Sequence, residues 1–277
     1  MKDDRVGLMS QQVGEKRMGK FDGESQQQQF NVRGWSLEGR VALVTGATGG
    51  LGKAIVAELS ERGADVRGVD IVGDGVFHAD LATASGNRDM VAHVLKAAGR
   101  LDILVLNAGL QFMAPFDQFP DAEWDRLNAL MLDGPFHALK AAWPALTKEP
   151  GGRVVVTASV ASYGGARQKV AYCAAKHGVL GLVRTAALEA GAHGLTVNAV
   201  APGWMDTALM RGQLEAQAKN RGMSTEDVMA AFRASQPGNR FVDVREVAAT
   251  IGFLASSCAS GINGECITID LGASASG

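Results

Sequence analysis

Cysteine is scarce, with three in 277 residues. Cys173, Cys258 and Cys266 are too few for a disulfide scaffold and odd in number, so a reducing, cytoplasmic setting is expected. No apolar run approaches the ~20 residues needed to cross a bilayer, which argues against a membrane role. Charge of one sign is also missing: Lys+Arg total 27 and Asp+Glu 29, a net charge of -2. That balance leaves no electrostatic footprint for nucleic acid. Proline is rare at 7 residues, whereas glycine reaches 35 without a collagen period. Such glycine content fits a chain whose backbone must approach something closely. His93, His137 and His177 fall within helical patterns and show no metal-ligand spacing, so no metal is expected. Hydrophobic residues at 47% and charged residues at 20% exclude a fully disordered chain.

Residues 1–35 are polar, carry the run Gln26-Gln-Gln-Gln29 and lack a secretory signal. They read as a disordered extension before a domain at 36–277. From Gly39 short apolar runs alternate with helical stretches. Val41–Thr45, Asp65–Asp70, Gly75–Asp80, Leu101–Leu106, Arg153–Ala158, Leu195–Val200 and Glu265–Asp270 read as strands. Lys53–Arg62, Arg88–Ala98, Trp124–Leu146, Ala171–Ala192 and Val244–Ser256 read as helices. This order implies an α/β fold, a single-domain, doubly wound parallel sheet of Rossmann type with helices on both faces. About 207–243 breaks the rhythm with two polar helical patterns, either a helical lid over a site or a surface insertion.

Thr45-Gly-Ala-Thr-Gly-Gly-Leu-Gly52 joins the first strand to the first helix. Gly46, Gly50 and Gly52 allow a tight turn and let a pyrophosphate reach the helix N-terminus, where free amides and the helix dipole favour an anion. Asp70 ends the second strand. A carboxylate there accepts hydrogen bonds from both adenosine ribose hydroxyls and repels a 2′-phosphate, which favours NAD over NADP.

Tyr172-Cys-Ala-Ala-Lys176 opens a helix and puts Tyr172 and Lys176 on one face. A nearby ammonium favours the phenolate and brings proton transfer into the working range. Ser159, just past the fifth strand, can hydrogen-bond a substrate oxygen. A lone Y-x-x-x-K usually marks an exposed helix face; with the glycine loop, in this order along the sheet, the set is specific.

From about Leu37 to Gly272 the chain resembles the short-chain dehydrogenases/reductases. Thr45–Gly52, Asp70, Asp80-Leu81, Asn107-Ala108-Gly109, Ser159, Tyr172, Lys176 and Pro202-Gly-Trp-Met-Asp-Thr207 carry the resemblance. It implies that Tyr172 is the acid/base and that Lys176 holds the nicotinamide ribose. It also implies that Asp80 binds the adenine amino group and that Thr207 meets the carboxamide. Thr48, Leu51, Leu81, Asn107, Ala108, Gly109, Pro202, Gly203 and Met205 complete the implied cofactor site. Homotetramers built on the fourth and fifth helices are also implied. Two positions depart from the family: Leu106 replaces the first of a doubled Asn, and Met131 stands where an Asn usually holds a relay water. Asn128, one turn earlier, is the nearest substitute in sequence.

Within the family, Gly109–Pro115, Phe119-Pro120, Trp124-Asp125, Ala171–Gly178 and Pro202-Gly-Trp204 are similar to bacterial 3-hydroxybutyrate dehydrogenases. The resemblance puts Gln111, Lys169 and Gln213 around a substrate carboxylate, beside Ser159 and Tyr172. Trp204 is either a pocket wall or a core residue. Ala161 replaces a histidine of that pocket, and Asp270-Leu-Gly-Ala273 stands where a closing tryptophan would be, so a roomier pocket is expected. The expected function is hydride transfer between NAD and a small hydroxy acid or related secondary alcohol. A 3-oxoacyl-thioester reductase and a non-catalytic nucleotide-binding scaffold are the alternatives.

Overall fold

The computed structural model describes residues 35–275. All but the last residue of the expected N-terminal extension lies outside the described residues. Trp35 itself packs on Phe253, and the Arg62 guanidinium lies over its ring at 4.9 Å.

Seven strands form one sheet in the order β3-β2-β1-β4-β5-β6-β7, and every neighbouring pair is parallel. They are β1 Val41–Thr45, β2 Asp65–Asp70, β3 Phe77–His78, β4 Ile103–Leu106, β5 Arg153–Thr157, β6 Thr196–Pro202 and β7 Cys266–Ile269. Parallel strands need helical crossovers, and these cover both faces. The strand residues divide accordingly. Leu43, Leu104 and Val154 pack into one core with α2 Ala84–Ala98, α4 Gly134–Leu146 and α5 Val170–Ala190. Val44, Val105 and Val155 pack into the other with α1 Gly50–Glu61 and α9 Val244–Ala255. Each fully buried Leu or Val contributes ~1.5–3 kcal/mol. This is why β1, β4 and β5 read as unbroken apolar runs rather than alternating ones.

β3 is only two residues long, against the six expected. Gly73 and Gly75 adopt φ +104° and +74°, so the chain is still turning where a strand was expected to begin. The long helix expected over Trp124–Leu146 is interrupted. It runs as α3 Asp121–Asn128, a π-turn at Ala129–Asp133, and then α4. Pro135 has no N–H to give to the carbonyl of Met131, so the ladder widens just there.

Between β6 and α9 the chain makes three helices rather than two: α6 Ala208–Arg211, α7 Leu214–Arg221 and α8 Thr225–Ala234. They have a small apolar core of their own in Met210, Ala218, Val228 and Phe232, against which Trp204 packs. Among the described residues no helix is long and apolar enough to cross a membrane, and no cluster of His, Cys, Asp or Glu could hold a metal ion.

Candidate active site

Strand order reverses at β1, whose neighbours are β2 and β4. Loops leaving the two sides diverge there and open a crevice at the strands' carboxyl ends. A cleft of about 620 Å³ lies at this point. Every residue expected at the cofactor borders it: the glycine loop, Asp70, Asp80 and Leu81, Asn107 to Gly109, Tyr172, Lys176, Pro202, Gly203, Met205 and Thr207.

The floor is backbone. Gly46 has φ +65°, and a Cβ on it would sit 2.9 Å from the Cα of Ala108. A Cβ on Gly52 would collide with the Gly46 carbonyl. Gly49 caps α1 without a side chain, so the first-turn amides have no side-chain acceptor. Those features make a cradle for an anionic group. Thr45 and Asn107 lock the strand ends beneath it. The Thr45 hydroxyl accepts from the amides of Asn107 and Ala108 at 2.9 and 3.1 Å. Asn107 Nδ2 donates to the Thr45 carbonyl at 3.1 Å, and its Oδ1 accepts from Thr157 at 3.2 Å. The Asn107 amide is thus engaged in holding the crevice open.

Asp70 is oriented in advance. Its Oδ2 accepts from the Thr48 amide and hydroxyl at 3.0 and 2.7 Å, and its Oδ1 accepts from the Ile71 amide at 2.7 Å. A carboxylate has about four acceptor positions and three are taken, so one remains on Oδ1 for a ribose hydroxyl.

Ser159, Tyr172 and Lys176 share the cleft wall. Ser159 Oγ accepts from the Ala161 amide at 3.2 Å, and its hydroxyl hydrogen faces the Tyr172 oxygen. Lys176 is 5% exposed, and its Nζ donates to the Thr157 carbonyl at 2.6 Å. Burial lowers its pKa from 10.5 to about 8. The Tyr172 phenol moves upward, against the expected direction. Burial raises it, and the hydrogen bond with Ser159 only partly pulls it back. The ammonium is 5.8 Å from the phenol ring's centroid, itself half discharged near pH 8, and is committed to Thr157.

Met131 borders the cleft, is 1% exposed, and packs with Leu127, Ala171 and Ala175 behind Tyr172. Asn128 does not stand in for a relay residue, because its Nδ2 donates to the Trp124 carbonyl of its own helix at 2.9 Å.

The expected substrate residues divide. Ser159 and Tyr172 border the cleft, while Gln111, Lys169, Trp204 and Gln213 do not. Gln111 turns back to accept from the Phe112 amide at 3.1 Å. Lys169 is 7% exposed, and its ammonium lies 4.9 Å over the Trp204 ring. Burial brings its pKa down to about 8, and Arg221 adds to the fall while Cys173 opposes it. Gln213 Oε1 is buried with no partner among the described residues. Sequence reasoning missed what supports this end. Trp204 stacks on Phe232 at 3.9 Å, and Arg221 covers the far ring at 5.2 Å. The buried amide of Gln236 clamps Trp204, accepting from its N–H at 3.1 Å and donating to its carbonyl at 3.3 Å. Nothing local marks these residues: Arg221 and Phe232 lie in polar helical stretches and Gln236 in the turn after α8. Arg126, also missed, reaches the cleft wall while paired with Glu123 at 2.7 Å.

The chain belongs to the short-chain dehydrogenase/reductase family. A family model described as enoyl-(acyl carrier protein) reductase matches residues 46–274. An uncharacterized oxidoreductase of Bacillus subtilis is 38% identical over 84% of this chain and 97% of its own. A D-beta-hydroxybutyrate dehydrogenase of Rhizobium meliloti is 36% identical over 84% and 98%. The crystal structure of levodione reductase superposes with a TM-score of 0.82 at 30% identity, covering 86% of this chain and 98% of that one.

Proposed function

We propose that this oxidoreductase transfers a hydride between NAD and a secondary alcohol or its ketone, and that its substrate is a small 3-hydroxy acid. The observation that carries the reading is the placement of Ser159, Tyr172 and Lys176 on one wall of the cleft whose floor is the glycine cradle and whose end is Asp70. The cradle and the preoriented carboxylate fit a dinucleotide. When bound, the nicotinamide supplies the hydride acceptor or donor. The chain's own groups do the rest. Gly46, Gly50 and Gly52 give the phosphates room, Asp70 accepts from a ribose hydroxyl, and Asp80 and Thr207 hold the two ends. Ser159 donates to the substrate oxygen, and Tyr172 exchanges the proton with it. Lys176 is held by Thr157 where its ammonium can meet a ribose hydroxyl and Tyr172 together.

Lys169 supports the acid. It is buried, paired with no carboxylate among the described residues, and backed by aromatic rings, so an incoming anion gains a charge-assisted hydrogen bond worth ~1.5–3 kcal/mol. The unpartnered Gln213 Oε1 is an acceptor, since its Nε2 already donates to the Leu209 carbonyl, so it suits a hydroxyl donor of the substrate rather than the carboxylate. We read 207–243 as a lid and 36–277 as one catalytic domain. The outer faces of α4 and α5 carry the exposed Phe136 and Leu188, which suits a homotetramer; light scattering reads its mass.

The test is a turnover panel of NAD and NADP against 3-hydroxy acids, their neutral esters and 3-oxoacyl thioesters, with Lys169→Ala beside the wild type. The expected loss in kcat/KM is tenfold or more on the acid, with little change on the ester. Equal losses reject carboxylate recognition. Better use of NADPH with thioesters turns the reading to a thioester reductase. Tight NADH binding without any turnover turns it to a nucleotide-binding scaffold, the reading that Met131 favours.

A further inference from the structure

The segment entering α5 is held from outside by the excursion. Gln168 has φ +65°, in the left-handed region that glycine adopts freely and other residues rarely do. A side chain there is disfavoured about five- to thirtyfold in population unless its surroundings hold it. Two hydrogen bonds do so. The Ala114 amide donates to the Gln168 carbonyl at 3.1 Å, and Asn220 Nδ2 of α7 donates to Gln168 Oε1 at 2.6 Å. Gln217, three residues earlier on α7, contacts the sulfur of Met113 at 3.3 Å, next to Ala114. One edge of α7 therefore grips both the loop after β4 and the turn before the catalytic helix. The residue after that turn is Lys169, whose backbone opens α5 and whose ammonium rests on Trp204. Trp204 in turn stacks on Phe232 of α8, so the excursion reaches the two neighbours of Lys169, Gln168 in sequence and Trp204 in space, from two directions.

We propose that Asn220 is a positioning residue for the substrate end. Its bond to Gln168 holds the left-handed turn that sets Lys169 over Trp204, so the seating of 207–243 and the readiness of the Lys169 ammonium are one event. The functional consequence rests on the reading of Lys169 as the substrate's partner; the latch itself does not.

The experiment reads Lys169 directly. Purified full-length protein is acetylated with acetic anhydride, and labelling of Lys169 is followed by peptide mass spectrometry, with the exposed Lys148 as internal reference. Asn220→Ala is expected to speed labelling of Lys169 at least fivefold and leave Lys148 unchanged. Gln168→Leu, which keeps bulk but removes the acceptor, should do the same. Adding Gln168→Gly to Asn220→Ala should return the rate to within about twofold of wild type, because glycine adopts φ +65° without the penalty a side chain brings. A merely structural loss at Asn220 would not be repaired by a glycine. Labelling in Asn220→Ala equal to wild type, or a double variant as reactive as the single one, overturns the proposal. With a 3-hydroxy acid, KM should rise about fivefold in Asn220→Ala and recover in the double variant, with kcat nearly constant. Labelling that moves while KM stays leaves the latch standing and removes Lys169 from substrate recognition.

Discussion

Replacing Lys169 by methionine should make the protein more stable at pH 7. The lysine is 7% exposed, no carboxylate among the described residues pairs with it, and burial holds its pKa near 8 against an ordinary 10.5. Below pH 8 both folded and unfolded chains carry the proton, and the folded state bears the whole cost of a buried charge. Between about 8 and 10.5 the folded state sheds its proton first and the cost fades. The difference between the two values amounts to about 3 kcal/mol. That difference is net of the ammonium's contact with the Trp204 ring, so Lys169→Met, with methionine filling the stem's volume, should gain up to about 3 kcal/mol at pH 7. Lys176 obeys the same sign with its own value near 8. Wild type should therefore gain about 4 kcal/mol between pH 7 and 9.5, and Lys169→Met about half as much. Urea unfolding followed by circular dichroism at a series of pH values measures both. A variant less stable than wild type at pH 7, or one with an unchanged climb, would refute the account of Lys169 as an uncompensated buried cation.

Tyr172→Phe should abolish turnover and leave the NADH dissociation constant within about threefold, since only the proton carrier is lost; steady-state rates within a few-fold of wild type would remove the phenol from the chemistry. Asp70→Ala should narrow the preference for NADH over NADPH in a fluorescence titration by deleting both the ribose acceptor and the repulsion, and wild type binding NADPH as tightly as NADH would count against the assignment. Met131→Asn puts a polar group behind Tyr172 and should reduce the solvent isotope effect on kcat while lowering stability by ~1–3 kcal/mol for the buried amide. An isotope effect that persists unaltered would show that Met131 does not limit proton escape.

The cofactor side was legible because its chemistry is local. Gly46, Gly50 and Gly52 are placed by one turn between one strand and one helix, and Asp70 by the end of the next strand. A reader needs only the order of elements to bring them together. Tyr172 and Lys176 are four residues apart on one helix, which fixes their shared face. Element ends were less legible. The π-turn at Ala129–Asp133 follows from Pro135, yet the apolar spacing across it reads as one unbroken helix. β3 shrank because Gly73 and Gly75 have positive φ, which composition alone does not reveal. The support of the substrate end was not legible at all. Trp204, Phe232, Arg221 and Gln236 meet only after the chain has folded back from α8. Gln236 in particular is 1% exposed in a stretch that reads as surface loop.

Lys169 and Lys176 make the division of labour physical. Burial is the main cause that takes each from 10.5 to about 8, with Cys173 and Arg221 acting in opposite directions at Lys169, so their pKa values do not tell them apart. Their partners do. Lys176 gives a 2.6 Å hydrogen bond to the Thr157 carbonyl at the end of β5, which fixes the direction of one of its N–H groups. Lys169 rests on an aromatic face, which attracts a cation without fixing the direction of its N–H groups. A fixed ammonium suits a cofactor whose position must not vary, because hydride transfer is sensitive to small displacements. An ammonium that can turn suits an anion arriving from solvent, and its cost in the free protein is recovered only when that anion binds. If Lys169 takes the substrate's carboxylate as proposed, the same argument explains why a cation with no carboxylate partner among the described residues persists where methionine would stabilise the fold: its cost becomes driving force for recognition.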